Sequence, residues 1–319
     1  MPLEIVPPGT HIDFIGKWKI AVSVSLALIV VSLLAIPLRG IRLGLDFAGG
    51  TEMLVQFGKD VDAQEGPIRR VLDGVGIREA SVVRYGLEKE GAFLIRFRDE
   101  GKAGDKREIV DKVRDALAQQ VGPLDVERAD FVGPRVGAEL RRDGLLAIGV
   151  ACVLILIYIA FRFAATFAPG AVIALIHDVV ITSGVFVVMG REFDLTVLAA
   201  LLAILGYSLN DTIIVYDRIR ENLALHTKVD LEEVLNRSVN QTLSRTLLTS
   251  GTTLLAVLAL LAVGGPVIQP FALAMTIGIF VGTYSSVYIA APTLLILERR
   301  YGRHVKSGAA AKPGRTARA

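Results

Sequence analysis

The chain has 319 residues, 52% of them hydrophobic and 21% charged, with a mean hydropathy of +0.53 and a formal net charge of +3. That is too apolar for an ordinary soluble domain with evenly spread charge, and a single cysteine, Cys152, excludes an intrachain disulfide. The basic residues behind the pI near 9.0 gather at the ends of apolar stretches, which makes them a topology signal and excludes a nucleic-acid reading.

Taken in chain order, Lys17 and Lys19 precede an uncharged stretch from Ile20 to Leu38. It is too long for the apolar core of a signal peptide and ends in Ile36-Pro37-Leu38, without a small-residue cleavage site. Residues 1–38 are therefore expected to be a cytosolic N-terminus and a retained first membrane span.

Residues 39–143 have soluble character. Thr51 to Gly58 alternates as a strand. Asp62 with Glu65 is spaced as a helix start, and Ile68, Val71, Leu72 and Val75 form its apolar stripe; Pro67 weakens the first turn. Ala80 to Gly86 and Ala92 to Phe97 read as strands of a hairpin across Gly86 to Gly91. Asp105 and Glu108 are spaced as cap and third residue of a second helix, with Ile109, Val113 and Leu117 facing the core. Leu124 to Val132 reads as the last strand. The order βαββαβ predicts a small ferredoxin-like α/β sandwich outside the membrane. It has no histidine, no nucleotide loop and no Cys or His cluster, which points to binding or mechanics and away from catalysis.

Five more spans follow. Gly144 to Phe161 is uncharged, Phe163 to Gly190 carries only His177 and Asp178, and Leu195 to Tyr216 carries only Asp211. From Thr246 to Leu297 run 52 residues without an Asp, Glu, Lys, Arg or His. As one helix this run would measure about 78 Å against a hydrocarbon core of about 30 Å, so it folds back once, at Gly264 to Pro266. Residues 144–298 thus hold spans two to six, with a cytosolic amphipathic loop at 217–245. In that loop Leu231, Val234, Leu235, Val239 and Leu243 make a helix expected to lie along the inner membrane surface. Residues 299–319 are a basic cytosolic tail, expected to be disordered. The predicted fold is a polytopic α-helical membrane protein with six transmembrane helices and one small exported domain.

Basic residues set the orientation. With both ends cytosolic, inside segments hold Lys17, Lys19, Arg162, Arg218, Arg220, Lys228, Arg237 and Arg245 plus seven in the tail, whereas the short outside loops hold Arg191 alone. The 19 basic residues between spans one and two do not count against this, because long loops cross regardless of charge.

Ionisable groups inside spans are costly and mark pathways. Asp178 lies near the middle of span three, beside His177. Asp211, next to Asn210, lies in span four about 7 to 8 Å from its inner end, and Arg245 opens span five on the same side. Two readings stay open for Arg245, a partner of Asp211 or an interfacial arginine that snorkels. Two also stay open for Asp178, transport or structural hydrogen bonding. An intramembrane aspartyl protease does not fit, because Asn210 and Ser208 stand where glycines are expected before a catalytic Asp and Asp217 opens a charged stretch. Gly278, Gly282 and Ser285 are spaced for close helix packing. No cofactor or metal site is expected, and no Gly-rich loop ends in Gly-Lys-Ser or Gly-Lys-Thr. Asp46, with Gly44, Gly49 and Gly50, marks a tight turn after span one where a short carboxylate accepts backbone N–H bonds; its expected role is in the junction.

Several of these stretches form a set. They are Leu43-Gly44-Leu45-Asp46-Phe47-Ala48-Gly49-Gly50, Ala174-Leu175-Ile176-His177-Asp178, and Gly206-Tyr207-Ser208-Leu209-Asn210-Asp211-Thr212 continuing through Tyr216-Asp217-Arg218-Ile219-Arg220-Glu221-Asn222. Ser244-Arg245-Thr246 with Thr249 to Thr253, and Gly282-Thr283-Tyr284-Ser285-Ser286 with Ala290-Ala291-Pro292, complete it. In order and spacing, from Leu43 to about Leu297, they resemble the SecD/SecF family of protein-export membrane proteins. The resemblance implies a non-enzymatic subunit that works with SecD and the SecYEG channel, with YajC as a further candidate partner, in the bacterial cytoplasmic (inner) membrane. It implies use of the proton-motive force to assist exporting polypeptide chains, with Asp211 and Arg245 in proton passage; Asp178, His177 and Asn210 are secondary candidates from their place inside the spans. It also implies kinship with proton-driven RND exporters. A small-molecule exporter half of that class and a non-conducting assembly factor are the alternatives.

Overall fold

A computed structural model describes residues 7, 10–58, 60–77, 80–85, 91–97, 106–163, 166–225 and 229–301. Six helices are long and apolar enough to cross a membrane, and a four-stranded antiparallel sheet stands outside them. The chain is a multi-pass membrane protein, as its hydropathy pattern predicts.

The first span is α1 (Trp18–Arg39). A single turn, α2 (Leu45–Ala48), leads into β1 (Gly50–Phe57), then α3 (Glu65–Gly74), β2 (Ser81–Tyr85), β3 (Ala92–Phe97), α4 (Lys106–Gln120) and β4 (Leu124–Val132). The sheet order is β2-β3-β1-β4, with every neighbour antiparallel. This is the split arrangement that βαββαβ connectivity predicts. Because side chains alternate along a strand, Met53, Val55 and Phe57 share the buried face of β1 with Phe93, Ile95 and Phe97 of β3. Ile68, Val71 and Leu72 of α3 and Val110, Val113 and Leu117 of α4 cover that face. Burying each large side chain contributes about 1.5–3 kcal/mol, so this small domain has a core of its own. Pro67 sits in the first turn of α3, where its missing N–H costs no helical bond. Asp105 and the 86–91 turn, apart from Gly91, lie outside the described residues.

Gly50 joins the domain to its stalk with φ 145°, and a Cβ there would stand 2.5 Å from the carbonyl oxygen of Phe97. Only glycine fits.

The remaining spans are α5 (Pro134–Arg162), α6 (Ala168–Val188), α7 (Leu195–Leu225) and α8 (Leu231–Val263). The sixth is α9 (Gly265–Ser285), one π-helical turn at Ser286–Ala290, and α10 (Ala291–Tyr301). The chain reverses between α8 and α9 at Gly264 and Gly265, the latter at φ 70°. α6, α7 and α9 are the most buried spans, whereas α1, α5 and α8 turn apolar residues such as Val24, Leu28, Leu145, Leu154 and Leu255 outward.

Two elements differ from the sequence expectation. α5 begins at Pro134, some ten residues before its uncharged stretch, so the second span grows out of the sheet domain without a break. The amphipathic stripe of 231–243 is not a separate helix on the membrane surface. It is the first part of α8, and Leu231, Val234, Leu235 and Val239 bury against Ile219 and Leu223 of α7. Asn222 holds the two helices together, donating from Nδ2 to Ser238 Oγ and Gln241 Oε1, both at 2.8 Å. A stripe that finds a protein neighbour has no need of lipid.

The segment before α1 is also held by α8. Asn240 Oδ1 accepts from the Ile12 N–H, and its Nδ2 donates to the Ile12 carbonyl, both at 2.8 Å. Asn236 Oδ1 accepts from the N–H of Phe14 at 2.8 Å. Phe14 and Ile15 are buried beneath.

Candidate functional site: carboxylates inside the bundle

Asp178 and His177 sit in the middle of α6, both almost fully buried. Asp178 Oδ2 accepts from Ser208 Oγ of α7 at 2.5 Å and from Ser285 Oγ of α9 at 2.9 Å. Its Oδ1 lies 2.9 Å from His177 Nδ1, and His177 Nε2 lies 3.1 Å from Ser25 Oγ of α1. The Tyr284 ring of α9 stacks on the imidazole with centroids 6.2 Å apart. One Asp-His pair therefore ties four spans together. Buried polar groups require such partners, and hydroxyls of Ser supply them here without charge.

The approach of α9 to α7 depends on two glycines. A Cβ on Gly278 would overlap Ile204, and one on Gly282 would stand 2.9 Å from Ser208 Cβ. Packing, as their spacing suggests, is what these residues do.

Asp211 lies one turn beyond Ser208 on α7 and is also buried. Thr246 Oγ1 of α8 donates to its Oδ1 at 2.6 Å. Its Oδ2 is buried without a hydrogen-bond partner among the described residues. Beside it Thr212 Oγ1 and Ser286 Oγ, in the π-helical turn, are 3.0 Å apart. No bond links Asp211 to Asp178 directly, but Ser285 and Ser286 are consecutive residues that reach one site each.

The contact between Asp211 and Arg245, one of the two readings of the sequence, is not made. Arg245 is exposed and makes no ion pair among the described residues. The cause is helical geometry: successive residues point about 100° apart, and it is Thr246 that α8 turns toward α7. Asn210 is exposed, about 100° round α7 from Asp211, with no hydrogen bond among the described residues.

The junction residues come together elsewhere. Asp46 Oδ2 accepts from the Leu195 N–H at 2.9 Å, and Asp194 Oδ1 accepts from the Val197 N–H at 2.8 Å, so two carboxylates cap the start of α7. The Gly44 N–H donates to the Phe193 carbonyl at 2.7 Å, and the Phe193 N–H to the Arg42 carbonyl at 2.8 Å. Gly49 (φ 76°) and Gly50 turn the chain from this cap into β1.

Ser25, Ser208, Tyr284, Ser285 and Thr246 are site residues that the search for ionisable groups passes over. All but Ser25 lie within the motif stretches, which was the available signal. Among the described residues no cluster of three or more His, Cys, Asp or Glu could hold a metal ion.

Comparison with known proteins places these motifs in context. Residues 112–300 match the family model described as protein export membrane protein SecD/SecF, C-terminal, and residues 34–61 match the SecD/SecF GG motif. The protein translocase subunit SecF of Calditerrivibrio nitroreducens is 42% identical over 303 residues, covering 93% of this chain and 97% of that one. The Magnetococcus marinus protein of the same name is 45% identical, with coverage of 93% and 95%. The crystal structure of SecDF from Thermus thermophilus, titled a translocon-associated membrane protein, superposes with a TM-score of 0.80 at 37% identity over 92% of this chain. A second SecDF structure, in a super-membrane-facing form, gives 0.70. This chain spans 39% of the length of the first SecDF chain.

Proposed function

The chain belongs to the SecD/SecF family of protein-export membrane proteins, and from that premise we propose that it is a SecF-type subunit that couples proton entry to protein export. It is a transport component, with no reaction assigned to it. Its partner is a SecD chain: the SecDF relative carries in one polypeptide more than twice the length found here, and α1, α5 and α8 offer apolar faces for such a neighbour. The SecYEG channel, YajC and exporting chains complete the assembly, in the bacterial inner membrane. Both termini are cytosolic, in keeping with the basic residues at inner loops. Residues 39–143 act as one exported unit.

The unpartnered Oδ2 of Asp211 carries this reading. A buried carboxylate with one oxygen unsatisfied lacks a full desolvation-compensating set of donors, a deficit of about 1–3 kcal/mol or more. A proton or the guanidinium of Arg245 would make it good. Arginine cannot release its own proton, so it can only approach or leave. Proton loading at Asp211 and docking of Arg245 thus exclude one another, and α8 moves between them. Each proton brings about 2.3 kcal/mol per 100 mV of membrane potential. The single small sandwich argues against the drug-exporter alternative, which requires large pocketed domains.

The test is gradient-driven export in membrane vesicles holding each variant at equal abundance. Asp211→Asn should insert and bind SecD yet lose gradient stimulation, and Arg245→Lys should lose most of it. Full stimulation in Asp211→Asn vesicles ends the reading.

A further inference from the structure

Four heteroatoms fix where protons stand around His177. Tyr284 Oη is 2.7 Å from the carbonyl oxygen of Ala21 in α1, and a carbonyl has no proton to give, so the tyrosine hydroxyl donates there. Ser25 Oγ is 3.2 Å from Tyr284 Oη. Since the tyrosine's one proton is committed, serine donates its own to the tyrosine. Ser25 is then only an acceptor toward His177 Nε2, so that nitrogen carries a hydrogen. On the other side, Ser208 Oγ donates to Asp178 Oδ2. One proton is left for the 2.9 Å contact between His177 Nδ1 and Asp178 Oδ1, because two bare lone pairs at that distance repel. Whether it sits on nitrogen or oxygen, the pair is neutral as a whole.

We infer that His177 and Asp178 form a second proton-binding site whose occupancy is set by the contact of α1 with Tyr284. If α1 parts from Tyr284 while staying packed on α6, Ser25 loses the tyrosine as acceptor and its hydroxyl turns to donate to Nε2. The Nε2 proton passes to water, the remaining proton stays on Nδ1 against the Asp178 carboxylate, and the pair is left with one negative charge. Return of α1 reverses each step. The pair is shielded from other charges. α1 presents only Ser25 to it, α5 carries no charged residue along its apolar stretch, and α7 contributes Asp211, engaged with Thr246. α9 and the π-helical turn contribute the phenols Tyr284 and Tyr288, and Arg299 of α10 pairs with Glu232. Among the described residues no lysine or arginine pairs with His177 or Asp178.

α1 is suited to the role. It packs so tightly on α6 that a Cβ on Gly184 would overlap Ser32, and its outer end runs through Gly44 into the cap on α7 and the exported domain. A pull on that domain therefore reaches the proton site through one helix. This extends the proton-coupled reading of the bundle; its test reads a tautomer and not export, so it can fail while Asp211 stands.

The experiment is nitrogen NMR of the full chain, labelled at histidine and reconstituted in lipid bilayers at neutral pH. With His11, His226 and His304 changed to Gln, His177 is the one histidine left of four. The expected spectrum shows a protonated Nε2, and Tyr284→Phe, which removes the acceptor for Ser25, shows Nε2 bare and Nδ1 protonated. A bare Nε2 in the chain with Tyr284 intact overturns the inference. So does an Nε2 that stays protonated in Tyr284→Phe.

Discussion

Asp46 reaches from the loop after the first span to cap a helix that starts 149 residues later, its Oδ2 accepting the N–H of Leu195 at 2.9 Å. The first N–H groups of a helix lack internal partners and carry partial positive charge, so a carboxylate there both satisfies and stabilises. The fourth span, which holds Asp211, is thereby fixed to the stalk of the sheet domain.

Asp46→Ala should weaken that attachment by about 0.5–2 kcal/mol. Amide hydrogen exchange at Leu195 would then run roughly two- to thirtyfold faster. Asp46→Asn keeps an acceptor oxygen and should exchange only slightly faster, while still weakening coupling between domain and membrane part. Unchanged exchange in Asp46→Ala would show that Asp194 alone suffices.

The sheet domain should fold without its spans. A chain of residues 39–143 is expected to show dispersed NMR signals from four strands and two helices. Within it Leu117→Ala, at a site with no exposed surface, should cost about 2–5 kcal/mol in denaturant unfolding. A disordered fragment would mean that the spans are needed to hold the domain.

Thr246→Val is nearly isosteric but removes the hydroxyl that donates to Asp211 Oδ1. If the hydroxyl holds α8 in the position seen here, losing it shifts the balance by about 1–3 kcal/mol toward the position in which Arg245 docks. Crosslinking between cysteines placed on α7 and α8 should then rise at pairs flanking 245 and fall at pairs flanking 246, whereas Thr246→Ser should behave as the parent. Equal crosslinking in all three would sink the alternation.

Much of this was legible in the sequence, for identifiable reasons. β4 was read with its ends in place, because Gly122-Pro123 and Gly133-Pro134 punctuate it. The spans were read because absence of charge is a property of a segment alone. The first part of α8 is not legible as such, since an apolar stripe is the same whether it meets lipid or Ile219 of α7. Matching depth allows an Asp211–Arg245 contact, but depth does not say which way α8 is turned about its axis, and Thr246 faces inward instead. Serines and threonines are common in spans, and only the fold brings Ser25 and Ser208, 183 positions apart in the chain, to one Asp-His pair.

The clasp of Asn240 on Ile12 makes a further prediction. Asn240→Ala removes both hydrogen bonds to Ile12, each of 2.8 Å, a loss of about 1–3 kcal/mol at about 0.5–1.5 each. Exchange at the Ile12 amide should accelerate by about fivefold or more, with the spans unaffected. If it does not, burial of Phe14 and Ile15 holds the segment by itself.

The turn at Ser286–Ala290 holds one residue more than the α-helical turns on either side of it. In a crystal such an extra row is a dislocation, and its property is that it lets one part of the lattice slip past another by exchanging bonds singly. The sixth span has this defect beside both carboxylates. Passing it one step along the helix would rotate Ser285 and Ser286 off Asp178 and Thr212 at the expense of a single backbone bond exchanged, while the rest of the span stays wound.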